Sequence, residues 1–193
     1  TSPMTPVDFL LDLWPKLQQV SADIQFHLIP YDNTIESARE ILKNLGQNID
    51  VVAGVFDEGM FHLHEYCTGL AIQKQPMEIY MPVNHPLEGE TLCVIQAGWS
   101  NQMDKLRAEI TLRHPGVKMR DFPFFNLEIF NACVNQGWLL VGFPIWENSH
   151  PLLTSRTMDW DYAMDYGILY NPIPSKPVQY FLKALKKVLD LSE

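Results

Sequence analysis

The sequence predicts an α/β protein of two lobes joined by a two-stranded hinge. Three observations carry that expectation. The first third of the chain reads helix, strand, helix, strand, and the middle reads strand, helix, strand, helix, strand, the alternation from which α/β sheets are built. Two extended stretches, near residues 76–82 and 163–170, connect these units. No Gly- or Ser-rich linker separates them, so structured chain makes the connection.

Each element has a local cause. In "TSPMTPVDFLLDLWPKLQQV", Thr5 supplies a cap hydroxyl, Pro6 the first helical position and Asp8 an acid in the first turn. Val7, Leu10, Leu11, Trp14 and Leu17 then share one face, with Pro15 a place for a kink or an early stop. Ile24, Phe26, Leu28 and Pro30 alternate with polar residues, as in a strand. Asn33 and Glu36 open a second helix, whose apolar residues are Ile35, Ala38, Ile41, Leu42 and Leu45, and Gly46 closes it. "IDVVAGVF" has the β-branched, continuous apolar character of a buried parallel strand. "TGLAIQKQPMEIYMPV" is extended throughout. After it come the strand "TLCVIQAGW", a helix capped by Ser100 with Met103, Leu106 and Ile110 inward, and the strand "GVKMRDF". The helix "NLEIFNACVNQG" ends at Gly137, and the strand "WLLVGFP" is stopped by Gly142 and Pro144. Ser175 caps a last amphipathic helix with Val178, Phe181, Leu182, Leu185 and Val188 inward.

Composition narrows the function. The 193 residues are 47% hydrophobic and 19% charged, enough for one good core or two smaller ones. No apolar run approaches the roughly 18 residues of a membrane span. A formal net charge of −9 excludes unaided binding to a phosphate backbone, which needs clustered Lys and Arg. Lys183, Lys186 and Lys187 read as the solvated face of the last helix. Cys67, Cys93 and Cys133 are odd in number and widely spaced, which fits reduced thiols in a cytoplasmic protein. The chain opens on Thr1 with neither an initiator Met nor a signal peptide, as a fragment of a longer protein would.

Candidate chemistry is sparse. In "HLHEYC", His62 and His64 would share a face if the segment were a strand, with Cys67 nearby. A fourth ligand is missing, so an ordinary loop or strand edge is the better reading. Asp159, Asp161 and Asp165 lack the Gly and closing Glu of a calcium loop. There is no GxSxG, GxGxxG or Walker sequence. His-Pro occurs at His85, His114 and His150; a residue before Pro is driven out of the helical region, so these mark turns, not catalysts. No catalytic residue, metal or cofactor is expected. What remains is a set of helix starts that follow strands, with free N–H groups and positive dipole ends suited to anions. In open α/β sheets such starts line the ligand crevice.

The order of elements resembles the effector-binding domain of LysR-type transcriptional regulators. "FLLDLWPKL" with "ADIQFHL", "DNTIESAREIL" with "NIDVVAGVF", "YMPVNHPLEGETL" and "FNACVNQGWLLVGFP" carry the resemblance, which spans almost the whole chain. Each motif is degenerate alone; order and spacing are what count. Three departures stand out. The family's short strand before "TSPMTP" and its N-terminal winged helix-turn-helix DNA-binding domain are absent, and Trp138 replaces a glycine of the turn, which places its ring near either the ligand or the core.

The resemblance implies two lobes of the type 2 periplasmic-binding-protein fold, lobe I being 1–79 plus 166–193 and lobe II 80–165. It implies a small-molecule effector, carboxylate-bearing by the character of the helix starts, held in the interlobe cleft. Ser2, Thr5, Asn33 and Thr34 would contact it from lobe I, and Ser100, Asn101, Phe125, Asn126 and Phe143 from lobe II. Phe56, Trp99, Phe125 and Phe143 would cover an apolar part. It further implies allosteric control of transcription in a bacterial cytoplasm, homodimers of this domain, tetramers of the full-length regulator, and DNA contact only through the missing domain. A solute-binding protein of a transport system, and an enzyme on the same scaffold, are the rival readings.

Overall fold

The computed structural model describes residues 8–32, 34–63, 65–84 and 91–191. Its strands divide between two sheets. In the first, β1 (Val51–Phe56), β8 (Ala163–Tyr170) and β2 (Thr68–Pro76) lie in the order β1-β8-β2, all antiparallel. In the second, β3 (Glu78–Pro82), β4 (Thr91–Ile95), β5 (Lys118–Phe122), β6 (Leu139–Gly142) and β7 (Leu153–Thr157) take the order β5-β4-β6-β3-β7. There β4 runs parallel to both β5 and β6, while β3 is antiparallel to β6 and β7. The chain leaves the first sheet at Met77 and returns between Thr157 and Ala163. This is the two-lobed α/β arrangement with a two-stranded hinge.

Helices cover each sheet for the reason their sequences suggest. Helices α4 (Asn101–Arg113) and α5 (Leu127–Gln136) put Met103, Leu106, Ile110, Ile129, Phe130 and Cys133 into the core of lobe II. Helices α1 (Asp8–Val20) and α6 (Lys176–Val188) pack on the first sheet through Leu10, Leu17, Phe181, Leu182 and Leu185. Gly137 ends α5 in the left-handed region, φ 66°, where its lack of Cβ removes the steric cost.

Several expectations are corrected. β1 is antiparallel and half-buried, not a buried parallel strand, because its neighbour β8 arrives from the other lobe running the opposite way. Residues 24–30 alternate like a strand yet join neither sheet. A cavity of about 870 Å³ lies between residues 23–29 and β1, and a strand needs an adjacent partner to exist. Residues 58–63 form helix α3 (Glu58–Leu63), so the alternate-face argument for His62 does not apply, while residues 65–67 are turn and loop; His64 lies outside the described residues. Helix α1 runs through Pro15, which is exposed, and Leu11 faces solvent at 47% exposure. Ser175 precedes α6 without a side-chain cap bond. His85 also lies outside the described residues. The His-Pro turns are seen at His114, which ends α4, and at His150, whose Nδ1 accepts from the Leu152 N–H at 3.2 Å. Trp138 sits half-buried at the start of β6, with the Arg120 guanidinium 4.4 Å above its ring.

Two consequences can be measured. A Cβ on Gly167 of β8 would fall 2.0 Å from the Leu70 carbonyl oxygen, beside the irregular register between Ala71 and Gln73. Gly167→Ala should therefore cost about 3 kcal/mol in chemical denaturation, whereas Gly54→Ala, which meets only Leu169 at 4.0 Å, should be tolerated. Tyr80 is 1% exposed and its hydroxyl donates to the Phe143 carbonyl at 2.7 Å. Burial first, then the carboxylates of Glu78 and Glu147, push its phenol well above the usual 10.0. The folded state thus keeps a proton that the unfolded chain releases, so this stabilisation is complete below pH 10.0 and fades above it, by about 1.4 kcal/mol per pH unit. Tyr80→Phe should flatten that alkaline slope in urea titrations and cost about 1 kcal/mol at neutral pH.

Candidate functional site

A cavity of about 450 Å³ opens between the lobes. Its lobe II wall comes from the chain just beyond the carboxyl ends of the parallel strands: Gln96–Trp99 after β4, Pro123–Phe125 after β5, and Trp146 after β6. That is where open α/β sheets hold ligands. The lobe I wall is β1 at residues 52–55 with Met60, Leu169 and one face of helix α2 (Ile35–Lys43). Ile35, Ala38, Arg39 and Leu42, spaced i, i+3, i+4, i+7, form that face. Arg39 is the charged residue of the described lining, which holds no His, Cys, Ser, Asp or Glu. The larger cavity beside residues 23–29 lies within lobe I alone and borders the open edge of β1.

Aromatic rings floor the lobe II side. Trp99 meets Phe125 edge-on with centroids 5.7 Å apart, and Phe125 tilts against Trp146 at 4.4 Å. Phe125 is 4% exposed and also contacts Phe122 and Phe143, so the core of lobe II holds this surface rigidly.

At each helix start around the cavity the cap residue takes one of the free N–H groups. The Thr34 hydroxyl accepts from the Ser37 N–H at 3.1 Å, and the Asn126 amide oxygen from the Ile129 N–H at 3.1 Å. The Ser100 hydroxyl accepts from the Met103 N–H at 3.0 Å. Asp57 crosses between lobes. One of its carboxylate oxygens accepts from Met60 N–H in α3 at 3.1 Å, the other from Gln102 N–H in the first turn of α4 at 3.4 Å. Asp57 is 7% exposed, and a Cβ on Gly59 would lie 2.5 Å from Asn101 Nδ2, so α3 sits directly over the start of α4. Asp104 takes the Gly98 N–H with both oxygens, at 3.0 and 3.1 Å, which shapes the loop beside Trp99.

The predicted site residues therefore separate. Trp99 and Phe125 line the cavity. Thr34, Ser100 and Asn126 stand at helix starts as caps, Ser100 buried and Thr34 exposed. Asn101 is exposed beside α3. Phe56 and Phe143, 3% and 0% exposed, are packed into the two cores. Ser2, Thr5 and Asn33 lie outside the described residues. Arg39 and Asp57 were not anticipated. Arg39 was readable as a cation set in the apolar stripe of α2; Asp57 carried no signal, because its second partner is 45 positions away.

The cysteines differ: the bond with Cys133 lowers the Cys93 thiol, against its burial, while the other two are raised. Cys67, Cys93 and Cys133 are buried thiols outside any disulfide. Burial raises the Cys67 thiol, and a bond with Cys93, then burial, holds Cys133 protonated. No group of three or more His, Cys, Asp or Glu among the described residues could hold a metal, and none of their helices is long and apolar enough to cross a membrane.

No family model and no curated protein sequence matches this chain. Solved structures do. The effector-binding domain of QuiR, solved in complex with shikimate, is similar with TM-score 0.67 at 14% identity, over 98% of this chain and 94% of that one. A full-length OxyR variant from Pseudomonas aeruginosa is similar with TM-score 0.60 at 18% identity, over 97% of this chain and 71% of that one. A probable amino-acid ABC transporter extracellular-binding protein from Bacillus subtilis is similar with TM-score 0.60 at 15% identity, over 93% and 81%. At these identities the likeness establishes the fold, that of LysR-type effector-binding domains and periplasmic binding proteins.

Removing Asp57 should be felt in both lobes. Asp57→Ala strips the Gln102 N–H of its carboxylate acceptor and leaves the Met60 N–H only the Asp57 backbone carbonyl, at 3.1 Å, and should lower stability by about 2 kcal/mol. Asp57→Asn keeps an acceptor oxygen and should lose less; equal losses in thermal unfolding would show that charge, not hydrogen bonding, is what matters.

Proposed function

We propose that this chain is the regulatory domain of a LysR-type transcriptional regulator and binds a small-molecule effector in its interlobe cavity. The cavity carries the reading: a concave, largely apolar space of about 450 Å³, built from both lobes at the carboxyl ends of parallel strands. A ligand touching both walls is bound best when the lobes are closed, and so shifts the equilibrium about the crossings at Met77 and residues 158–162. In a longer protein that shift would change how copies of the domain pair, as dimers and tetramers, and how attached DNA-binding domains meet their operator. The residues lining the cavity support binding without turnover, for they supply no nucleophile with an adjacent base. The likeness to a transporter's binding protein favours a second reading, capture of a solute for transport.

A thermal-shift screen of carboxylates, amino acids and aromatic acids tests the site. A compound at a hundredfold over its Kd should add about 2.7 kcal/mol of stability. Ala97→Trp, placing a ring at an exposed position of the cavity wall, should abolish the shift. A compound that stabilises both proteins equally binds elsewhere and sinks the reading. Sedimentation separates the two functions: ligand-sensitive dimers support the regulator, and a monomer with and without ligand supports transport.

A further inference from the structure

We infer that the interlobe cavity takes an aromatic monocarboxylate, its anion on Arg39 and its ring against Trp99, Phe125 and Trp146; this rests on that cavity being the binding site. The cap residues of the helix starts are absent from the described cavity lining, and each takes an N–H of its own helix. Thr34, Ser100 and Asn126 each cap their own helix, and Asp57 sets a carboxylate against the first turn of α4. A second carboxylate brought to α4 would meet Asp57 at close range, in a protein that already carries 23 acidic against 14 basic side chains.

Arg39 offers the opposite. It stands on the lobe I wall, forms no salt bridge among the described residues, and has Ile35, Ala38 and Leu42 as its neighbours on the helix face. Its planar fork matches a carboxylate in bidentate fashion. One cation calls for one negative charge; a dianion would find no second cation in the described lining. Across the cavity the ring cluster offers aromatic surface, which an aromatic body fills through offset or edge contacts. The two lobes thus recognise different parts of the ligand, α2 its charge and the ends of β4, β5 and β6 its shape.

Calorimetry with naphthalene-2-carboxylate, its neutral amide and cyclohexanecarboxylate tests the assignment. The aromatic acid should bind about tenfold or more tightly than the amide, since a charged hydrogen bond is at stake. Arg39→Gln should bring the acid down to the amide's affinity and leave the amide unchanged, while Arg39→Lys should recover part of the difference. Arg39 is exposed on α2, so its replacement should leave the melting temperature intact. Equal binding of acid and amide, an undiminished acid affinity in Arg39→Gln, tighter binding of the saturated acid, or no aromatic-acid binding below about 1 mM would each overturn the proposal. An amide that binds as tightly as the acid, with both lost in Ala97→Trp, would keep the cavity as the binding site while removing Arg39 as its anion reader.

Discussion

The arrangement depends on how the chain changes sheets at Met77. Its N–H donates to the Tyr162 carbonyl at 2.8 Å, and its own carbonyl accepts from the Trp160 indole. One residue is thus hydrogen-bonded to the returning segment through both backbone groups. Without that pinning, two adjacent single-chain crossings would be free to splay, and the cavity walls would not face each other. With it, residues 76–78 continue as extended chain from an antiparallel sheet into a mixed one, and the core of lobe II is free to close around Met77.

The neck does not act alone. Gln75, 4% exposed, accepts from the Ile145 N–H, and Asp57 reaches across to Gln102. Each link joins β2 or the end of β1 to the chain beyond a lobe II strand. These are few bonds for an interface, of about 1 kcal/mol apiece, so a ligand that contacts both walls can outweigh them. That is the physical basis for reading the protein as a switch instead of a rigid receptor.

Much of the fold was legible because it follows from local rules. The apolar stripes of α4, α5 and α6 and the caps Ser100 and Asn126 are short-range patterns, and the structure places them as expected. The errors share a cause. Residues 24–30 have the alternation of a strand, but a strand is a relation between two segments, and the neighbouring space is a cavity. β1 has the composition of a parallel strand, but its direction relative to β8 is decided by pairs as far apart as Val51 and Tyr170. His62 was judged by strand geometry, which helix α3 replaces.

The same division holds at the site. The sequence by itself determined two α/β lobes and a crevice at the carboxyl ends of strands, because periodicity and strand order are written in neighbouring residues; Trp99 and Phe125, which line the cavity, were named from the family resemblance. Only the tertiary structure decided that Asp57 occupies the start of α4, that Phe56 and Phe143 belong to the cores, and that Arg39 faces the cavity. Charge and burial at a given position depend on what distant segments bring to it, and a hydrogen bond spanning 45 residues leaves no trace in local pattern.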